Sequence, residues 1–600
     1  MNLLGLMYST NSTAALMRDG RIVACASEDR FARRKSIHAY PARAIDWCLA
    51  DAGLRPAEID LVVLPYEGIF TNFDKLLVDY DGSFSVRDKI QEQHEYYKPL
   101  LLEGRRPNFL EIFRHKVLPD RWRLAQQDPE GNVIRAALRE HLNIPPERIV
   151  TVHHHLSHIY YAVYSQRTFR DPVLVFTMEG WGGDRNASLS IFSNGRLDTV
   201  YTTPECCIGR LYRYITLLLG MRSNQDEYKV MGLAPYASEA TIRGALEVFR
   251  ETMYVDGVEF KYRRRPSDLY FYFRDRLEGE RFDAIAGALQ RYTEEIIVQW
   301  VRNAVARTGI RDVLFTGGVA MNMKAMMAVG QLPEVRSLWV GATCTDESVS
   351  MGALFLAHAE RTGRAPAPLQ QIYLGNAASD ADIEAFLAQA GGDARVRVIR
   401  DALPDAVAQR LAQGLVIGRY AGRAEFGARA LGNRSILADP RSPAMVRRIN
   451  EKIKNRDFWM PFAPVILEER QHDYLVNPKG LEAPYMTLGF ETTPLARAEM
   501  PAALHPYDFT ARPQILARAD NPAYYDLVKA FERLTGVGAL LNTSFNLHGE
   551  PIVCTLEDAW RVFTMSGLDG LMLGPHYIEK LAAPDGDHTR AELTERLHAG

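Results

Sequence analysis

Leu3-Leu4-Gly5-Leu6-Met7, the polar turn Ser9-Thr10-Asn11-Ser12, and the apolar segments Thr13 to Met17 and Ile22 to Ala26 around Asp19-Gly20 form the stretch on which the fold turns. The first run predicts a buried strand. Asp-Gly between two apolar segments signals a two-residue hairpin, because both central residues of that turn need positive φ. The same order returns downstream: Val173 to Met178, then the turn Glu179-Gly180-Trp181-Gly182-Gly183-Asp184, then two strands flanking Asn194-Gly195. A strand, a small polar or glycine turn and a hairpin, occurring twice, predict an internal duplication.

Two such turns facing each other cradle a phosphate chain, which is the layout of the duplicated actin-like nucleotide-binding fold. Between the copies, Gly68 to Glu147 is richer in charge and aromatics, with a helical stretch Val133 to His141, and reads as an insertion on the substrate side (68–147). After the second copy comes a long helical pattern, Ala284 to Ala306. The strand Val313 to Phe315 then runs into Thr316-Gly317-Gly318-Val319-Ala320-Met321-Asn322, where the glycine pair lets backbone approach a ligand. Ser337 to Val340 leads through Gly341 to Thr345 into Asp346, ahead of a helical Met351 to Ala359; a carboxylate just past a strand end is a usual place for α/β chemistry. The expected units are 1–361, a linker 362–379, a second domain 380–580 and a tail 581–600.

A chain of 600 residues with 47% hydrophobic content exceeds what one core usually serves, so two or more domains are expected. The formal charge of -3, from 71 basic and 74 acidic residues, argues against a surface built to track nucleic acid or anionic lipid. The six cysteines are scattered without a CxxC pair, which fits reduced thiols. No apolar run approaches the ~18 residues of a membrane span. A cytoplasmic protein without nucleic-acid or membrane partners is expected.

In His153-His154-His155-Leu156-Ser157-His158, positions 154 and 158 are four apart. If Val152 to Val163 is helical, their imidazoles share a face and can share a metal. An isolated pair of this spacing is also common as a hydrogen-bonded surface feature, but this run lies between a strand-like Ile149 to Val152 and apolar Ile159 to Tyr164. Asp346 could complete a two-histidine, one-carboxylate set, which favours Fe(II) among several divalent metals.

From Arg419 to Arg448 there are seven arginines against Glu425 and Asp439. Leu415 to Ile417 and Ser435 to Leu437 predict buried strands, and an unpaired arginine between them would cost several kcal/mol. Charge-assisted bonds to phosphate, each about 1.5 to 3 kcal/mol, would offset that cost, so an anionic ligand is expected. Asn542-Thr543-Ser544-Phe545-Asn546, after a strand Val537 to Leu541, reads as a polar turn suited to a small polar group, or simply as an Asx/ST turn.

With these residues laid out, the chain resembles the carbamoyltransferase family of nodulation-factor and antibiotic O-carbamoyltransferases over nearly its whole length. The resemblance rests on Asp19-Gly20-Arg21-Ile22-Val23, Glu28-Asp29-Arg30-Phe31, His154-His155-Leu156-Ser157-His158, Glu227 to Tyr236, Gly317 to Asn322, the arginine block and Asn542 to Asn546. It implies an α/β protein: a duplicated actin-like (ASKHA) N-terminal domain followed by a YrdC-like α/β C-terminal domain. It also implies two steps, carbamoyl-adenylate formation from carbamoyl phosphate and ATP (with Mg) in the second domain, and transfer to the hydroxyl of a small-molecule natural product in the first.

By position the resemblance assigns Arg423, Arg429, Arg434, Asn542, Ser544 and Asn546 to carbamoyl phosphate or its adenylate. It assigns His154, His158, Asp346 and Glu179 to Fe(II) or another divalent metal, and Gly180, Gly317, Gly318, Asn322 and Lys229 to the nucleotide. Lys35 stands where a basic residue usually reaches the first site. A homodimer is compatible with it. Thr10 stands where many relatives have a histidine, a candidate base for the acceptor hydroxyl; His153 or His155 are the nearest substitutes. Glu179 replaces a usual aspartate, Met460 a common arginine and Ala428 a proline. Two other readings stay open: an enzyme of the tRNA threonylcarbamoyl-adenosine type, which would need a basic tract that the charge does not offer, and a non-catalytic nucleotide-binding relative.

Overall fold

The structure, a computed structural model, describes residues 1–8, 11–35, 37, 39–65, 132–182, 184–390 and 395–581. Thr10, most of the expected insertion 68–147 and nearly all of the tail 581–600 lie outside the described residues.

The first unit carries two sheets of the same plan. β1 (Asn2–Met7), β2 (Thr13–Arg18), β3 (Arg21–Ser27), β4 (Leu61–Leu64) and β5 (Ile149–Thr151) lie in the order β3-β2-β1-β4-β5. β6 (Val173–Gly182), β7 (Arg185–Ser193) and β8 (Arg196–Thr203) follow; after a small hairpin of β9 (Met253–Asp256) and β10 (Glu259–Tyr262) come β11 (Asp312–Thr316) and β12 (Ser337–Trp339). Their sheet runs β12-β11-β6-β7-β8, the first order repeated. In each sheet the first three strands are antiparallel neighbours and the last two join in parallel. Both hairpins turn through residues of positive φ, Asp19-Gly20 and Asn194-Gly195, so the duplication read from the sequence is present strand for strand.

A helix follows the last strand of each sheet: His154–Tyr164 after β5, and Val349–Thr362 beyond β12. The apolar faces of these two helices meet in one core, where Tyr161, Ala162, Leu354 and Phe355 are buried with Ala15 and Val175 from the sheets. Gly5 in β1 is required by the same packing, since a Cβ there would run into the carbonyl of Ser350. The expected helix Ala284 to Ala306 is present as Phe282–Thr308.

The second unit is a mixed eight-stranded sheet. Its strands are β13 (Val396–Ile399), β14 (Ile417–Tyr420), β15 (Arg434–Ala438), β16 (Ala463–Leu467), β17 (Gln514–Leu516), β18 (Ala539–Ser544), β19 (Gly570–Leu573) and β20 (His576–Lys580), ordered β13-β20-β19-β14-β15-β18-β16-β17. Side chains alternate between two apolar layers: Leu437 and Leu540 enter one cluster, Ile436 and Leu541 the other. Asn542 to Ser544, expected in a turn, are strand instead, because Asn542 is paired on both sides, with Leu437 of β15 and Ala463 of β16.

The stretch 362–379 is pinned to both units. Ile372 and Leu374 are buried, the Leu374 carbonyl accepts from Cys25 N–H, Gly375 N–H donates to Ala424 O, and Ala424 N–H donates to Asn376 O.

Candidate functional site

The histidines emerge where β5 ends. His153 is the N-cap of the helix, its Nδ1 accepting from the backbone N–H of His155, so His154 occupies the first turn and His158 lies one turn on, on the same face. Their rings are 4.8 Å apart at 82°. Glu179 comes from the end of β6, and its peptide rests on the start of the next helix at Gly209, where a Cβ would sit 2.6 Å from Gly180 N. Gly182 leaves room for the cluster, since a Cβ there would overlap the Glu179 carboxylate. Asp346 arrives from the turn before the helix Val349–Thr362.

One ligand atom from each of His154, His158, Glu179 and Asp346 lies within 4.8 Å of all the others. His154 Nε2 and His158 Nε2 stand 3.2 and 3.3 Å from Glu179 Oε2, and 3.6 and 3.7 Å from Asp346 Oδ1. For metal–ligand bonds of about 2.1 Å, donor atoms around one ion stand about 3.0 to 3.4 Å apart. The set therefore fits a divalent cation after small adjustment. The donor chemistry, two imidazoles and two carboxylates, suits Fe(II), Mn(II) or Zn(II).

The charges interlock. Burial would raise Glu179, but His154, His155 and His158 around it outweigh burial and hold the carboxyl well below the usual carboxylate range. Burial works against the His158 cation, yet Glu179 and Asp346 overcome it and push its pKa up to about 9. For His155 burial wins over Glu179, and its pKa is lowered. His153 is engaged at both nitrogens, by His155 N–H and by Asp184 at 3.1 Å.

A second cluster gathers basic side chains of both units. Lys454 is buried, and its Nζ donates to Ser544 O and, at 2.6 Å, to Asn546 Oδ1. Burial lowers its pKa, and the charges that bear on it are the cations Arg456 and Lys35. Arg512 is likewise lowered by burial, with Arg429 and Arg456 as the charges beside it. Burial lowers Arg429 too, and the neighbouring groups that stabilise its charge are Tyr228 and Glu347. Lys35 is lowered by burial although Asp29 and Asp226 support its charge. Half-buried cations that face one another are costly without an anion. Arg429, Ser544, Asn546 and Lys35 are thus linked in one candidate anion cluster through Lys454, Arg456 and Arg512, which sequence reasoning missed. Lys452, Lys454 and Arg456 form a basic run just past the arginine block, a usable signal; Arg512 carries none.

Several expected site residues have other work. Arg423 pairs with Asp51 at 2.9 Å and donates to Leu374 O, so its guanidinium clamps the units together. Arg434 is fully buried, with carbonyl oxygens of Ala421, Gly422, Asn433 and Asn376 and the Tyr420 ring around its guanidinium. Asn322 caps the helix Met323–Gln331 and exchanges two bonds with the Gln290 amide. Asn542 donates to Ala430 O inside the sheet. Lys229 lies between Asp226 and Asp457, at 3.3 and 3.1 Å. Gly317, at φ 87, lies against the backbone of Met178, while Gly180 and Gly318 have open space above them.

Comparison with known proteins gives two family matches, Carbamoyltransferase N-terminus over residues 2–355 and Carbamoyltransferase C-terminus over 408–580. The chain is similar to nodulation protein NolNO of Sinorhizobium fredii, 32% identical across 98% of this chain and 81% of that protein. It is also similar to nodulation protein NolO of Bradyrhizobium diazoefficiens, 33% identical across 68% of this chain and 76% of that one. Among solved structures, the activator of the 2-hydroxyisocaproyl-CoA dehydratase from Clostridium difficile aligns with 60% of this chain and 97% of its own at 13% identity and a TM-score of 0.31. Among the described residues no helix is long and apolar enough to cross a membrane. Since one family accounts for both units in order, this chain belongs to the carbamoyltransferase family and is a transferase enzyme.

Proposed function

We propose that the chain is an ATP-dependent O-carbamoyltransferase that works in two steps at its two clusters. At the basic cluster of the second unit, read as a YrdC-like domain, water converts carbamoyl phosphate to carbamate and phosphate. The carbamate oxygen then attacks the α-phosphorus of Mg-bound ATP, releasing pyrophosphate and leaving carbamoyl-adenylate. In the first unit a hydroxyl of a small-molecule acceptor attacks the carbamoyl carbon, its proton passes to a base, and AMP departs.

The observation that carries this reading is one dipeptide. Asp346 faces His154 and His158, while the charge of its neighbour Glu347 bears on Arg429 of the basic cluster. That link supports a path from anion activation to carbonyl transfer. Lys454, Arg456, Arg512 and Arg429 would hold phosphate groups and take up the charge that builds on them. Lys35, whose charge Asp29 and Asp226 support, would meet the adenylate between the two clusters. A divalent metal held by His154, His158, Asp346 and Glu179 would supply Lewis-acid polarisation of the carbamoyl carbonyl. His155 has both ring nitrogens engaged and is 1% exposed, so it does not serve as the acceptor's base.

The test is pyrophosphate release from ATP. It should depend on carbamoyl phosphate, stop in Arg429→Ala and persist in His158→Ala, which should lose only transfer to the acceptor. Release that ignores carbamoyl phosphate would sink the adenylate scheme.

A further inference from the structure

His155 follows the first expected ligand directly, so it points away from the face shared by His154 and His158 and reaches the strands β6 and β7. Its Nε2 lies 2.7 Å from Glu179 Oε1 and 3.2 Å from the carbonyl oxygen of Arg185. Its Nδ1 lies 2.7 Å from Thr177 Oγ1, which in turn is 2.6 Å from Ser188 Oγ. A carbonyl can only accept, so Nε2 carries the proton and Nδ1 offers its lone pair. The Thr177 hydroxyl must then donate to Nδ1 and accept from Ser188. The direction of every bond in the chain Ser188, Thr177, His155, Arg185 O follows from that one carbonyl.

We propose that His155 is a positioning residue that fixes which oxygen of Glu179 faces the ligand cluster. The terminal torsion of a glutamate is broad and nearly two-fold, so an untethered carboxylate presents either oxygen or both. With the His155 ring 2.7 Å from Oε1, Oε2 is the atom left facing His154 and His158, at 3.2 and 3.3 Å. The Thr177 hydroxyl keeps His155 in the tautomer that can donate. Anchors of this kind set the orientation of a ligating carboxylate, and their loss typically lowers metal affinity by about tenfold to a hundredfold.

The inference rests on reading the cluster as a metal site, and the experiment separates the two. Co(II) is titrated into the full chain, followed by its visible absorption and by competition with a chelator. Wild type should bind with a visible band. His155→Leu should bind about tenfold to a hundredfold more weakly, with a shifted band, and His155→Gln, whose amide N–H can reach the same carboxylate, should restore most of the affinity and the original band. Thr177→Val should weaken binding in the wild-type background and add nothing in His155→Leu. An unchanged affinity and band in His155→Leu would overturn the role of His155 while leaving the metal site standing. Absence of Co(II) binding by wild type would overturn both. Should His155→Leu fail to fold, Thr177→Val against wild type carries the same comparison.

Discussion

Gly352 lies directly against the carbonyl oxygen of Ser157, so closely that a Cβ would overlap it and come within 3.1 Å of the Tyr161 Cβ. The equivalent helices of the two halves therefore touch backbone to backbone, next to His158. This contact sets how near Asp346, which precedes the second helix, comes to the histidines of the first.

Gly352→Ala tests that relationship because two effects have opposite signs. In an unconstrained helix, alanine is more stable than glycine by about 1 kcal/mol. Overpacking here should cost about 1 to 3 kcal/mol. We expect a lower thermal midpoint together with weaker Co(II) binding. A raised midpoint would mean that the helices part freely.

The metal-free protein should lose stability on the alkaline side. The His158 pKa is pushed from 6.5 up to about 9 by Glu179 and Asp346 against burial. A raised folded-state pKa stabilises fully below the unfolded value and is lost as pH rises through the folded one. The thermal midpoint in chelator should thus fall from pH 7 to about 9.5, and Glu179→Gln should flatten that slope. On the acid side the same attraction is lost as pH falls through the low Glu179 value. Since a metal must displace the His158 proton, Co(II) affinity should rise with pH up to about 9. A pH-independent affinity would contradict this charge arrangement.

Arg512→Gln should make the ligand-free protein more stable and the enzyme worse. Its neighbouring charges are both cations, and burial lowers its pKa, so removing it relieves repulsion and a desolvation cost. Thermal shift measured alone and with ATP plus carbamoyl phosphate should show a higher starting midpoint and a smaller ligand-induced rise. A ligand-induced rise equal to that of wild type would remove Arg512 from the anion site.

Local patterns were legible in the sequence, and partner choice was not. Asp19-Gly20 and Asn194-Gly195 announced two hairpins because positive φ is written into residue type. His154 and His158 announced a shared face because helical spacing is fixed. An arginine code carries no such geometry: Arg423, Arg429 and Arg434 looked alike, yet one meets Asp51, one feels the charges of Glu347 and Arg456 and one is surrounded by carbonyls. Lys454 and Arg512 come from separate segments that only the fold brings together. Asn322 before an apolar run was readable as an N-cap, but the glycine pair ahead of it drew the reading toward a ligand.

Arg423 gives the sharpest separation between an arginine that binds substrate and one that holds the units in place. Its guanidinium stands 5.6 Å from the Trp47 ring and pairs with both oxygens of Asp51, at 3.2 and 2.9 Å, across the two units. Both side chains are partly exposed, 33% and 24%, so the pair should contribute about 0.2 to 1 kcal/mol. Arg423→Ala and Asp51→Ala should each lower the denaturation midpoint slightly, and the double variant should lose less than the sum. Pyrophosphate release should continue in all three, because Asp51 and the Leu374 carbonyl engage this guanidinium. If Arg423→Ala instead abolished release while Asp51→Ala left it untouched, the guanidinium would have to leave Asp51 during turnover, and the clamp would be a resting position of a substrate-binding residue.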